Sequence, residues 1–164
     1  MKTLFVIRHA KSSWKFDLPD QDRPLNLRGR RDVLRVAAHL SNNEDTPDLM
    51  ITSPASRALY TALFIGDEWG YPEDSIIIDH SLYHASGEDL LDIISKQEGA
   101  DSLAIFGHNP GLTQLINLYS SEYIDNLPTC GVYAVRLEID NWSDIRSAAY
   151  ERKFYVTPKR LPSN

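Results

Sequence analysis

Three short apolar runs in this chain each end in a cluster of polar residues. Ile7 is followed by Arg8-His9-Ala10, Thr52 by Ser53-Pro54-Ala55-Ser56-Arg57, and Phe106 by Gly107-His108-Asn109-Pro110-Gly111. Two arginines and two histidines suit the handling of an oxyanion. Arginine offers planar, multiple donors that match phosphate oxygens. A neutral imidazole is a nucleophile that can take a phosphoryl group and pass it to water. A second histidine and the arginines would then hold the transferring oxygens and offset charge in the transition state. That scheme requires no metal ion and no cofactor, and none is expected. Each cluster alone has an ordinary explanation. Arg-His after a strand is common, Arg57 alone reads as a solvated helix residue, and Gly107-His108-Asn109-Pro110 alone reads as a tight strand–helix turn. The weight lies in three clusters at equivalent places.

The elements that must position them alternate. Thr3 to Ile7, Leu49 to Thr52, Ser75 to Ile78 and Ser102 to Phe106 read as short buried strands. Leu27 to Leu40 carries Val33, Val36, Ala37 and Leu40 at helical spacing, with Asn26 as N-cap. Ser53-Pro54 reads as the N-cap and first residue of a helix reaching about Trp69. Ser86-x-x-Asp89 has the form of a capping box before the inward Leu90, Leu91, Ile93 and Ile94. Asn109-Pro110 repeats the N-cap and proline start ahead of Leu112, Leu115, Ile116 and Tyr119. Val132 to Ile139 alternates like a half-exposed strand, Asn141-Trp142 looks like a turn, and Phe154 to Val156 suggests a last edge strand before a basic tail.

Strand–helix alternation is the pattern of an α/β domain with a largely parallel sheet. Ligands bind such sheets beyond the carboxyl ends of the strands. Parallel neighbours would therefore bring the three clusters together, beside two helix N-termini that favour an anion. The length of 164 residues points to one domain, 1–164. With 42% apolar and 24% charged residues, a disordered, collagen-like or coiled-coil chain is excluded. No apolar run approaches a membrane span, and Arg8, His9 and Lys11 interrupt the N-terminal run before it could serve as a signal peptide. The single Cys130 cannot form an internal disulfide, and a cytoplasmic location is the simplest expectation. A net charge of −6 argues against nucleic-acid or anionic-membrane partners. It leaves room for a local cationic pocket.

LFVIRHA, TSPASRALYTA and IFGHNPG resemble the histidine phosphatase superfamily, the phosphoglycerate-mutase-like fold. IRHAKSSW, DRPLNLRGRRD, LYHASGEDLLDII and FGHNPGL together are similar to its compact SixA-type phosphohistidine phosphatase branch. The resemblance runs from about Thr3 to Leu118 and more weakly through the final strands. It implies a three-layer α/β/α sandwich around a mixed, mostly parallel sheet. It also implies that His9 becomes phosphorylated, that Arg8 and Arg57 bind phosphate, and that His108 contacts the phosphoryl group.

The chain departs from the wider superfamily in three places. Arg-His-Ala stands where Arg-His-Gly is usual. Asp79-His80-Ser81-Leu82-Tyr83-His84 has no Glu where many members carry a proton donor, leaving Asp17, Asp20, Asp22, Glu88 or no acid at all. No long insertion is present to form a lid, so an open site is expected. Ser12 and Ser13 follow the nucleophile, and Ser13 is a candidate phosphate contact. His80 and His84 have helical metal-ligand spacing but lack a third ligand, which favours a structural role. Arg28 and Arg30 belong to a basic helix region that is solvated or rims the pocket. The leading expectation is a metal-independent phosphatase acting on a phosphohistidine-bearing protein domain. A small-metabolite phosphomonoesterase and a catalytically silent phosphate-binding module are the alternatives.

Overall fold

The structure is a computed structural model describing residues 1–161; residues 162–164, the end of the basic tail, lie outside the described residues. The strands are β1 (Lys2–Arg8), β2 (Leu49–Thr52), β3 (Ile77–Ile78), β4 (Ser102–Gly107), β5 (Val132–Leu137) and β6 (Tyr150–Val156). The α-helices are α1 (Leu27–Asn43), α2 (Ser56–Trp69), α3 (Gly87–Ser95) and α4 (Gly111–Leu118). The strands form one mixed sheet in the order β3-β2-β4-β1-β5-β6. β3, β2, β4 and β1 are parallel, β5 runs antiparallel to β1, and β6 antiparallel to β5.

Alternation along the strands feeds two cores. Leu4, Val6, Leu103 and Ile105 pack with Leu90, Leu91, Ile94, Leu112, Leu115 and Ile116 of α3 and α4. Phe5, Ile7, Ala104 and Phe106 face the other way, toward Val33, Val36, Leu40, Ala62 and Ile65 of α1 and α2. Helices therefore cover both faces, giving the three-layer α/β/α sandwich. Truncating any of these fully buried leucines or isoleucines to alanine would cost about 2–5 kcal/mol.

Two caps form as their sequences imply. The Asn26 side chain accepts from Gly29 N at 2.8 Å, and Ser86 and Asp89 form the reciprocal capping box. Gly29 matters for a second reason. A Cβ there would lie 2.1 Å from the Lys11 carbonyl oxygen, so only glycine lets α1 approach the loop that follows β1.

Several expectations are corrected. α2 begins after Ala55, not Ser53, and α4 after Pro110, not Asn109. The Ser53 side chain bonds His108 and Ala55 N ahead of its helix, whereas Asn109 Oδ1 still accepts from Thr113 N in the first turn of α4. β3 keeps only Ile77–Ile78, because Glu73–Ser75 closes a 3-10 turn; at the sheet edge both isoleucines are about half exposed. β5 is buried at all but Arg136, since it sits inside the sheet between β1 and β6. β6 is longer than Phe154–Val156 and starts at Tyr150. Asn141-Trp142 opens a 3-10 helix, and Trp142 is buried with its Nε1 donating to Ala100 O at 2.8 Å.

Candidate active site

β4 lies between β1 and β2, which sets the three clusters side by side. Arg8 is level with Gly107, and Thr52 with Phe106. Two backbone bonds extend the ladder past the strand ends: His9 N to Gly107 O at 3.2 Å and Ser53 N to Phe106 O at 3.0 Å. Arg8, His9, Arg57 and His108 thereby line one pocket of about 230 Å³. The rings of His9 and His108 are 5.3 Å apart.

His9 is held at both of its backbone polar groups. Its N–H is taken by Gly107, and its carbonyl accepts from Cys130 N at 3.0 Å. Cys130 adopts a left-handed conformation, φ 59°, to present that N–H. The His9 Nδ1 lies 2.7 Å from the Ala10 carbonyl oxygen. A carbonyl only accepts, so Nδ1 carries the proton and Nε2 keeps its lone pair. Burial pushes the imidazole pKa down to about 3, helped by the nearby His108, Arg8 and Arg57 and opposed by the Ala10 bond. His9 is thus a neutral imidazole with a free Nε2 at physiological pH.

His108 is neutral as well, its pKa lowered to about 4 by burial first and by Arg57 next, with Asp20 opposing. Its Nε2 is 2.8 Å from the Ser53 hydroxyl. Ser53 Oγ accepts from Ala55 N at 3.2 Å and keeps its own proton to donate. With the hydroxyl donating to Nε2, the imidazole hydrogen sits on Nδ1, a buried atom with no hydrogen-bond partner in the protein.

Nδ1 of His108 is not alone. Arg8 Nε, Arg57 Nε and Arg23 Nη1 are also buried without partners, and all four residues line the same pocket. A buried unpaired donor costs about 1–3 kcal/mol, more when charged. Four residues that line one cavity each carry such an atom, and their combined positive character suits an oxyanion. The guanidiniums are themselves held in place. Arg8 Nη1 donates to Leu127 O at 2.9 Å, and the Arg23 guanidinium lies 3.5 Å over the Trp14 ring.

Asp20 organises the open side. Arg57 donates to its carbonyl oxygen at 2.7 Å and to its Oδ2 at 3.0 Å, and Arg23 Nε reaches Oδ1 at 3.1 Å. The Tyr83 hydroxyl also donates to Oδ2. The Tyr83 bond above all holds the Asp20 carboxyl well below the usual carboxylate range; burial opposes it next, and Arg57 and then Arg23 lower it further. The same bond raises the Tyr83 pKa. Asp20 is therefore a fixed anion, and the Tyr83 proton is committed to it. Glu88 is elsewhere, paired with Arg146 at 3.3 Å. Among the described residues, no carboxylate lines the pocket itself.

Other candidates fall outside. Ser13 lines an adjoining concavity, and its Oγ accepts from Lys15 N; Ser12 takes the place in the pocket wall. Arg28 and Arg30 border that neighbouring concavity. His80 begins a 3-10 turn, and His84 has φ 62° with its ring on Tyr83, so they share no helical face. No group of three or more His, Cys, Asp or Glu is arranged to hold a metal among the described residues. Sequence reasoning missed Arg23, Ser53, Lys11, Trp14, Asn109 and Thr129 as wall or support. Arg23 stands inside DRPLNLRGRRD, and the cap-like sequence of Ser53-Pro54 hides the contact of Ser53 with His108.

The family model described as the histidine phosphatase superfamily (branch 1) matches residues 4–90. An uncharacterized chloroplastic protein of Arabidopsis thaliana is 30% identical over 153 residues, covering 87% of this chain and 70% of that one. Among solved structures, SixA from Agrobacterium tumefaciens superposes with a TM-score of 0.82 at 22% identity, covering 96% of this chain and 98% of that one. The protein histidine phosphatase SixA complexed with tungstate gives 0.76 at 20% identity, covering 96% and 97%. Fold and site together describe an α/β sandwich with paired histidines and arginines at the carboxyl ends of its parallel strands. The chain belongs to the histidine phosphatase superfamily, and its activity class is that of a phosphatase.

Among the described residues, no helix is long and apolar enough to cross a membrane.

Proposed function

We propose that this chain hydrolyses phosphohistidine on proteins through a phosphohistidine intermediate on His9. His9 Nε2 attacks phosphorus while the P–N bond breaks, its electron pair returning to the substrate imidazole. That ring is protonated on its other nitrogen, so it leaves neutral. Arg8, Arg23 and Arg57, with the Nδ1–H of His108, carry the charge on the phosphoryl oxygens. Water then attacks the phosphorus on His9, releasing phosphate and restoring the imidazole.

The observation that carries the choice of substrate is the state of Asp20, the carboxylate bonded to the pocket arginine Arg57. Asp20 is held as an anion by Tyr83, Arg57 and Arg23, so it has no proton to give. An alkyl phosphate ester leaves as a poor alkoxide and needs a proton donor, worth typically about 10²–10⁴-fold. A ring-protonated phosphohistidine needs none. SixA, named a protein histidine phosphatase, shares the fold and supports the same reading.

The test compares kcat/KM at one pH for a phosphohistidine-bearing protein, an aryl phosphate and a sugar phosphate, with and without a strong chelator. P–N and aryl substrates are expected to turn over well, the sugar phosphate poorly, and chelator to change nothing. A sugar phosphate that proves the best substrate overturns the proposal, as does loss of activity to chelator with recovery on adding a divalent metal.

A further inference from the structure

The concave surface continues beyond the catalytic pocket. The segment after His9 carries Trp14 into the pocket wall and then Phe16 into an adjoining concavity of about 470 Å³. Its root is tied down: Ser13 N donates to Pro24 O at 2.8 Å, and Asn26 N to Lys11 O at 3.0 Å. Leu25 and Arg30 are shared with a third concavity of about 270 Å³ that reaches Tyr60 and Phe64. Trp14 is 76% exposed, Phe16 55% and Leu27 83%. Large apolar side chains clustered this way on a soluble chain mark an interaction surface.

Charge on this surface runs against the rest of the molecule. Lys15, Arg28 and Arg30 border the middle concavity, and Lys11 lies on the pocket side. The carboxylates nearby are Asp17, Asp20, Asp22 and Asp32. Of these, Asp20 is held by Arg57 and Arg23, and the buried Asp32 lies 3.6 Å from Arg28 and 3.8 Å from Arg35. The chain as a whole carries −6.

We propose that the Trp14–Leu27 groove docks a folded protein substrate, one whose phosphohistidine stands in an apolar patch rimmed by carboxylates. The apolar centre takes Trp14, Phe16 and Leu27, and the acidic rim meets Lys15, Arg28 and Arg30. This rests on the reading of the enzyme as a protein phosphohistidine phosphatase. It adds where the protein sits and what its surface looks like. Complementary charge of this kind acts mainly on the rate of encounter, and it fades as salt rises.

The experiment uses a helical phosphotransfer domain with carboxylates around its histidine, charged with phosphoramidate. Free phosphohistidine and an aryl phosphate serve as small substrates. Two variants leave the pocket untouched: Phe16→Ser with Leu27→Ser, and Lys15→Glu with Arg30→Glu. Each is expected to lower kcat/KM for the phosphodomain by about tenfold, equivalent to about 1.4 kcal/mol, chiefly through KM. Turnover of both small substrates should stay within twofold of the parent. The charge-reversed variant should also lose the salt dependence of the parent. Unchanged kcat/KM for the phosphodomain in both variants overturns the docking surface while leaving the proposed activity intact. A parent enzyme that hydrolyses the aryl phosphate but no phosphodomain overturns the proposed activity itself.

Discussion

The two ends of the central sheet carry cavities of nearly equal size and opposite chemistry. At the amino ends of β1 and β4, a cavity of about 260 Å³ is lined by Lys2 and Trp142 among others. Its strong donors are used up. Lys2 Nζ bonds Ala100 O at 3.0 Å and Asp101 Oδ1 at 2.7 Å, and Trp142 Nε1 bonds the same Ala100 oxygen. At the carboxyl ends, a cavity of about 230 Å³ gathers Arg8, Arg23, Arg57 and His108, each with a buried donor atom left without a partner. Both ends contain cations, so neither volume nor positive charge distinguishes them. What does is unspent hydrogen-bonding capacity, which a fold tolerates where a ligand will use it.

Breaking that capacity should have the largest effect. Arg57→Ala removes a proposed oxyanion donor and frees Asp20, and is expected to lower kcat on an aryl phosphate by about 10²–10³-fold. Lys2→Met, at the opposite end, should leave kcat unchanged and cost about 1 kcal/mol in urea unfolding. Equal losses of activity in the two variants would erase the contrast.

Ser53→Ala sharpens it further. Without the hydroxyl, His108 is no longer fixed with its hydrogen on Nδ1, and kcat should fall by about tenfold. Ser53→Thr, which keeps the hydroxyl, should restore most of the rate; a Thr variant as slow as the Ala variant would rule the tautomer role out.

The smallest effect is on stability against pH. His9 and His108 have folded pKa values of about 3 and about 4 against an ordinary 6.5. Between those values the unfolded chain binds protons that the folded one refuses, so stability falls as pH drops from about 6.5 toward 4. Asp20, with its pKa depressed, adds loss in the same direction only at lower pH, below the ordinary carboxylate value of 3.8. Urea midpoints should decline from pH 7 to pH 5, less steeply in a His9→Gln, His108→Gln double variant. An equal slope in both proteins would contradict the burial of neutral imidazoles.

Much of this was legible in the residues because local rules and tertiary structure agree. The alternation of Thr3–Ile7 and Ser102–Phe106 with amphipathic helices defines the layers, and Arg8, His9, Arg57 and His108 follow strands whose carboxyl ends meet. The strand order was not legible: nothing local says that β4 inserts between β2 and β1. The misplaced helix starts do not share one cause. Ser53 and Asn109 have the chemistry of N-caps; a tertiary partner, His108, claims Ser53, while Asn109 gives its amide nitrogen to Asn126 and its oxygen to Thr113 in the first turn of α4, one residue inside the start that its sequence suggests. Asp20, itself paired with Arg23, meets Arg57 from a loop far away in sequence, a contact only the fold creates.

The central claim is that His9, neutral and with Nε2 free, takes the phosphoryl group. Mass spectrometry of a rapidly quenched reaction with an aryl phosphate tests it most directly, in the parent and in His9→Ala and His108→Ala. Phosphate is expected on His9 in the parent and, more slowly formed, in His108→Ala, with no label and almost no turnover in His9→Ala. Phosphate found on His108, His84 or a serine, or substantial turnover in His9→Ala, would contradict the account.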